Sequence, residues 1–153
     1  MVRKGTIEDI ESVNVLLKQV SELHIQGVPD IFKNKDFNHK DYIKMYIDKE
    51  DAELLVCEEN GEVVSFIMFS YVLEQENEYM YEQKYVYIDD IGTNKNHQGK
   101  GYGQQLLDRT KELVKEKGFN QIKLNLYSFN KNAERFYVNN GFKVYSQNMQ
   151  LDI

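Results

Sequence analysis

Between Tyr85 and Lys117 the chain changes its hydrophobic period, and it does so across a run of glycines. The segment Tyr85-Val86-Tyr87-Ile88-Asp89-Asp90-Ile91-Gly92-Thr93 is rich in β-formers and alternates, which is strand patterning. A polar connection, Asn94 to His97, leads into Gln98-Gly99-Lys100-Gly101-Tyr102-Gly103. Leu106, Leu107, Thr110, Leu113 and Val114 then fall at helical spacing, and Gly118 stands where such a helix would end. The glycines therefore sit where a strand hands over to a helix. The first turn of a helix has N–H groups without internal partners and carries partial positive charge. Glycines at alternate positions remove the Cβ atoms that would hold a ligand away from those groups. The junction suits an anion such as a phosphate or pyrophosphate.

Three phosphate-binding patterns compete for this junction, beside a plain structural turn. A dinucleotide-binding turn requires its glycines in a tight strand–helix connection and an acid about 20 residues on; here polar residues intervene before the first glycine. A P-loop requires Gly-Lys followed by Ser or Thr; Gly99-Lys100-Gly101 has no hydroxyl. The third pattern is a coenzyme A pyrophosphate loop, Gln-x-x-Gly-x-Gly, and Gln98, Gly101 and Gly103 stand in that order.

A second segment, Asn130-Lys131-Asn132-Ala133-Glu134-Arg135-Phe136-Tyr137 with Asn140-Gly141-Phe142, separates these readings. Ile91-x-Thr93 followed by Gln98-x-x-Gly101-x-Gly103, and then Asn130-x-x-Ala133-x-x-x-Tyr137-x-x-x-Gly141-Phe142, resembles the GNAT superfamily of acetyl-CoA-dependent N-acetyltransferases. The match runs from Tyr85 to Phe142; the N-terminal half is compatible but carries few diagnostic residues. The resemblance implies a mixed, mostly antiparallel central sheet with helices on both faces and a splayed strand pair that holds acetyl-CoA.

Length and composition narrow the partners. The 153 residues are expected to form one N-acetyltransferase domain spanning 1–153, with 41% apolar and 29% charged residues. A net charge of −6, from 25 acids against 19 Lys and Arg, argues against a nucleic-acid binder and is compatible with a cationic substrate. Cys57 is the only cysteine, so no internal disulfide forms and a cytoplasmic location is expected. The longest near-apolar run, Val63 to Leu73, is too short to span a bilayer, so no membrane partner is expected. His24, His39 and His97 have no metal-ligand spacing with acids or Cys57, so no metal is expected.

In chain order, Val2–Gly5 reads as a first strand, and Thr6 with Asp9 as a capping box. Ile10, Val13, Leu17, Val20 and Leu23 give a helical apolar face that Gly27 and Pro29 end. His39 to Lys49 predicts a second helix with Tyr42, Ile43 and Tyr46 inward. Leu54–Glu58 and Val63–Leu73 predict strands around the Asn60-Gly61 turn, the second of them central. Glu74 to Lys84 is acidic and tyrosine-spotted: a solvated hairpin end, or a negative rim to an acceptor cleft. Strict alternation puts Tyr85, Tyr87, Asp89, Ile91 and Thr93 on one strand face, with Gly92 marking a bulge or a close backbone approach. Ile122 to Tyr127 predicts another strand, Asn130 opens a short helix, and Phe142 to Ile153 reads as a final strand.

The resemblance then distributes roles. Ile91 and Thr93 would offer backbone to the pantetheine arm. The loop Gln98, Gly99, Lys100, Gly101, Tyr102 and Gly103 would hold the pyrophosphate, and Asn130 and Phe136 would line the pantetheine path. Tyr137 would be the acid that protonates the leaving thiolate; by helix spacing alone it reads as one more core aromatic. Asp89, four residues before Thr93, is the candidate base or, equally, an anchor for a cationic amine. Asp90 points away by alternation unless a bulge turns it. Ser65 and Thr93 depart from the glycine and valine common at these positions. The implied reaction is acetyl transfer from acetyl-CoA to a primary amine by a monomer or homodimer, and the acidic balance favours a small or flexible cationic acceptor, a small molecule such as a polyamine or an aminoglycoside-like compound, or a lysine-type amine. The alternative is a non-catalytic acyl-CoA-binding module.

Overall fold

The computed structural model describes residues 1–153. Five strands form one sheet in chain order: β1 Val2–Lys4, β2 Ala52–Glu59, β3 Glu62–Glu74, β4 Gln83–Thr93 and β5 Ile122–Leu124. The first four are antiparallel neighbours, and β5 runs parallel to β4. Antiparallel neighbours need only a tight turn. Asn60 and Gly61, at φ 53° and 80°, supply the two positive-φ positions of the β2–β3 hairpin. The parallel step from β4 to β5 needs a crossover, and α3, Tyr102–Glu116, provides it.

Helices α1, Ile10–Gly27, and α2, Lys40–Asp48, cover one face of the sheet. There Val13, Leu16, Leu17, Ile43 and Tyr46 pack with Leu54, Val56, Phe66 and Met68. Helix α3 covers the other face, where Leu106, Leu107 and Val114 pack with Leu55, Ile67, Phe69, Val86 and Ile88. Because both faces are covered, β2 is buried from Ala52 to Cys57, and its apolar residues run consecutively from Leu54 to Cys57 rather than alternating. Helix α4, Lys131–Asn139, sits beyond β5 and brings Phe136 against the α3 side. No helix is long and apolar enough to cross a membrane.

Leu23, the C-terminal segment and the extent of β5 depart from the sequence expectations, and one of the two readings of Gly92 holds. Leu16 replaces Leu23 in the α1 core face; Leu23 is 45% exposed and borders the cleft described below. The β4 bulge lies at Asp89, not Gly92: Met68 pairs with Asp90 and Phe69 with Ile88, leaving Asp89 unpaired. Gly92 is instead a close approach, since a Cβ there would lie 2.7 Å from Val20 Cγ2 and 2.9 Å from Phe66. Finally, Phe142–Ile153 forms no strand. Val144, Tyr145, Met149 and Leu151 are exposed, and β5 is hydrogen-bonded on one side only, to β4. The segment carries strand alternation but pairs with no edge, and β5 stops at Leu124 rather than running to Tyr127.

Candidate functional site

The site follows from where β4 and β5 stop pairing. Their register ends at Ile88 opposite Leu124. Beyond it Asp89–Thr93 and Asn125–Tyr127 diverge and line the two sides of a cleft of about 730 Å³. Helix α1 contributes Val20, Leu23 and His24, the start of α3 contributes its glycines, and α4 contributes Ala133, Phe136 and Tyr137. A second cavity of about 650 Å³ opens on the α1–α2 side, under the loop that carries Ile31, Phe32 and Phe37. His24, Asp89, Asp90, Asn125 and Tyr127 line both, so the two spaces adjoin there.

The α3 end of the cleft is built from bare backbone. Gly99 and Gly101 have φ of 79° and 86°, the left-handed region that residues with a Cβ avoid. Gly101 is the N-cap of α3, and no heavy atom lies within 4 Å of where its Cβ would sit. Gly103 lies against Phe136, whose Cζ would be 3.7 Å from an added Cβ. Gln98 reaches back so that its Nε2 donates to the Thr93 carbonyl at 3.4 Å. The cleft and this uncovered helix start fit an elongated ligand with a diphosphate, as coenzyme A has. The Lys100 side chain is exposed and lies outside the cleft lining, whereas Tyr102 lines the cleft and also packs in the α3-side core.

The bulge decides which side chains reach the middle of the cleft. Since Asp89 is the extra residue, parity reverses after it. Ile91 and Thr93 lie on the α3 face, while Asp90 and Gly92 lie on the α1–α2 face. Asp89 and Asp90 therefore share a face, against the strict alternation expected. Asp89 is exposed and accepts a hydrogen bond from Ser70 Oγ at 2.9 Å. Asp90 is half-buried and accepts one from the Tyr42 hydroxyl at 2.8 Å. Tyr42 is in turn 3.3 Å from the hydroxyl of Tyr46. Burial pushes the Asp90 carboxyl up to about 6, aided by the Asp89 charge and opposed by the Tyr42 hydrogen bond.

On the far wall, Asn130 caps α4: its Oδ1 accepts from the Ala133 N–H at 3.1 Å. That cap starts the helix so that Phe136 and Tyr137 both line the cleft. Tyr137 is 7% exposed and lies edge-on between Phe136 and Phe142, each at a ring distance of 5.3 Å. Burial, with the charge of Asp90, pushes its phenol up to about 12, so it stays protonated near neutral pH.

Ser65 and Thr93 form a pair. Ser65 Oγ donates to the Gly92 carbonyl at 2.8 Å and lies 2.8 Å from Thr93 Oγ1. A serine has one O–H, so Thr93 is the donor in the second bond. The sequence reasoning did not place Tyr42, Asn125 or Tyr127 at the site. For Asn125 and Tyr127 the usable signal was their place at the end of an alternating segment. The acidic stretch Glu74–Glu82 sits at the exposed hairpin end and lines neither cavity, so it is no rim to this cleft.

The fold and cleft are those of an acetyltransferase of the GNAT type. The model of the acetyltransferase (GNAT) family matches residues 18–142, and the chain belongs to that family. No curated protein sequence matches it. Among solved structures it is similar to a tetramutant of the BH1408 protein from Bacillus halodurans, with 26% identity, a TM-score of 0.95, and 100% of this chain and 99% of that one covered. It is also similar in fold to the ribosomal-protein-alanine N-acetyltransferase of Brucella melitensis (16% identity, TM-score 0.73, coverage 100% and 99%). A third is an aminoglycoside acetyltransferase from an uncultured soil metagenomic sample, in complex with sisomicin (16% identity, TM-score 0.66, coverage 100% and 94%).

Proposed function

We propose that the protein transfers an acetyl group from acetyl-CoA to a primary amine, with Asp90 as base, Asp89 as an anchor for the amine, and Tyr137 as acid. The observation that carries this reading is the meeting of two cavities at Asp89 and Asp90. One is long and ends on the bare glycines of α3; the other opens separately toward α1 and α2. A donor and an acceptor can then approach one point from two sides.

Acetyl-CoA supplies a thioester whose carbonyl carbon accepts an amine nitrogen. Everything else falls to the chain. A lysine-like amine, with a pKa near 10.4, is neutral in only about one molecule in a few thousand at pH 7, which corresponds to about 4 to 5 kcal/mol on the barrier. A base near the operating pH removes that proton, and a carboxyl raised to about 6 meets the requirement better than an exposed one. Asp89, exposed beside it, holds the ammonium before deprotonation. As the C–N bond forms and the C–S bond breaks, the phenol of Tyr137 gives its proton to the departing sulfur. The backbone of Ile91 and Thr93 borders the pantetheine path, with Asn130 and Phe136 opposite. Gln98 to Gly103 take the pyrophosphate through N–H groups. Two fold relatives named above are an N-acetyltransferase of ribosomal-protein alanine and an aminoglycoside acetyltransferase, which is compatible with this reading.

The test is thiol release from acetyl-CoA against a panel of amines, with mass spectrometry of the products. Release matched by N-acetylated amine is expected. Tyr137→Phe should lower kcat by roughly 10²-fold with little change in KM for acetyl-CoA. Thiol release without acetylated amine, or a Tyr137→Phe variant with full kcat, would overturn the assignment.

A further inference from the structure

Resting on the acetyltransferase reading, we infer that the acceptor is a primary amine whose one ammonium is borne on an apolar or aromatic body. Phe32, Phe37 and Tyr127 take the body, and Asp89 and Asp90 take the ammonium. The α1–α2 loop exposes three large apolar side chains around one opening: Ile31 at 57%, Phe32 at 36% and Phe37 at 41%. All three line the cavity of about 650 Å³. Apolar groups gathered at the rim of a concave space mark a ligand-binding surface rather than scattered surface hydrophobics.

The walls are ordered rather than merely apolar. Phe32 and Tyr127 lie edge-on at 5.8 Å, and the His24 ring meets both, at 5.6 and 5.8 Å. Aromatic rings so arranged present fixed faces to a flat or branched hydrocarbon. The loop is tied down beyond them. The His39 N–H donates to Asn14 Oδ1 at 2.9 Å, and Lys18 pairs with Asp36 at 2.8 Å.

Charge is confined to one end. Asp89 and Asp90 are the only carboxylates lining this cavity, and they are neighbours in the chain. An amine bound there has its nitrogen where the two cavities adjoin. A second or third ammonium on the same molecule would lie among rings, in a cavity that Lys33 also lines, with no carboxylate to meet it. Burying an unpaired cation costs several kcal/mol in general, so polyamines and aminoglycosides are disfavoured, although rings alone attract single cations weakly. Each buried methylene of an apolar body contributes about 0.8 kcal/mol, so affinity should rise along a series of longer hydrocarbon amines.

The experiment compares 2-phenylethylamine, isopentylamine, ethylamine, spermidine and kanamycin as acceptors of the intact protein with acetyl-CoA. The two apolar amines should exceed ethylamine and spermidine in kcat/KM by at least tenfold. Phe32→Ser and Phe37→Ser should raise KM for 2-phenylethylamine tenfold or more, leaving KM for acetyl-CoA and the melting temperature near wild type. Spermidine or kanamycin as best acceptor, equal kcat/KM for ethylamine and 2-phenylethylamine, or no KM change in both variants would overturn the inference. Failure of the underlying reading looks different: no amine is acetylated. Calorimetric binding of 2-phenylethylamine against ethylamine, with coenzyme A present, then decides the pocket by itself. Tighter 2-phenylethylamine, weakened by Phe32→Ser, upholds it; equal or absent binding overturns it.

Discussion

The carboxyl of Asp90 is held in a place that suits catalysis and costs stability. In the unfolded chain an aspartate titrates near 3.9; in the folded protein burial carries Asp90 up to about 6. Between these values the native state binds more protons than the unfolded one, so this group's contribution to stability falls as pH rises from about 4 to about 6. Above that range the charged, half-buried carboxylate opposes folding. Asp90→Asn removes the charge and keeps an oxygen to accept from Tyr42. The variant should gain about 1 to 2 kcal/mol at pH 8, a rise in Tm of roughly 2 to 8 °C, and almost nothing at pH 4.5. Its activity should move the other way, with kcat down by about 10² to 10⁴. In the native protein kcat/KM should fall below pH about 6 as Asp90 protonates, and the variant should lack that limb. A variant with full kcat and an intact acid limb would show that Asp90 is not the base. Ser65 and Thr93 teach a related lesson. The sequence reads them as two separate departures from the resembled pattern, yet the structure makes them hydrogen-bonded partners.

At the scale of elements, α3 was legible because its signals are local: three glycines, an apolar repeat, and a closing glycine at 118. The α4 cap was legible for the same reason, Asn130 standing three residues before the N–H it accepts from. What was not legible depends on neighbours. The bulge at Asp89 is a mismatch between β4 and β3, visible only once Met68 and Phe69 are known to face Asp90 and Ile88. That one inserted residue turns both acids to one face; the sequence left Asp89 equally base or anchor, and the shared face is what makes Asp90 the proposed base and Asp89 the proposed anchor. Likewise the alternation in Phe142–Ile153 is real in the sequence, but a strand also needs an edge to pair with, and sequence alone does not announce one. The element that best repays a test is the start of α3. Gly101 is left-handed with open space where a Cβ would sit, so Gly101→Val meets backbone strain and its Cβ meets no neighbour. Strain of this kind costs about 1 to 3 kcal/mol, so the apo protein should stay folded with a slightly lower Tm. The added side chain would stand over the N–H groups of the helix start. The rise in Tm that acetyl-CoA gives the native protein should be lost, as thermal scans with and without ligand would show. A full rise in the variant would remove this loop from the binding site.

For the molecule as a whole, the question is whether its net charge of −6 or its local acids recruit the amine. An excess of acid invites the idea that the entire surface steers cations inward, and Glu76 and Glu78 at the hairpin end were natural participants. The structure separates them from the site. Both are exposed and line neither cavity, whereas Asp89 and Asp90 stand where the cavities adjoin. Exposed charges more than about 10 Å from a ligand are largely screened at 0.1 M salt, while an acid that touches the ammonium acts well inside that distance. Changing Glu76 and Glu78 together to Gln should therefore alter KM for the amine less than about twofold, the scale of a weak surface interaction. Asp89→Asn should raise it by roughly tenfold or more, as expected for losing a charge-assisted contact of about 1.5 to 3 kcal/mol. Raising ionic strength from low to physiological should change KM for the amine only modestly in the native protein and in the glutamine variant alike. Steady-state kinetics across a salt series for the three proteins settles the matter. A KM that climbs more than tenfold with salt, and climbs less once Glu76 and Glu78 are neutral, would return the acceptor's recruitment to the long-range field.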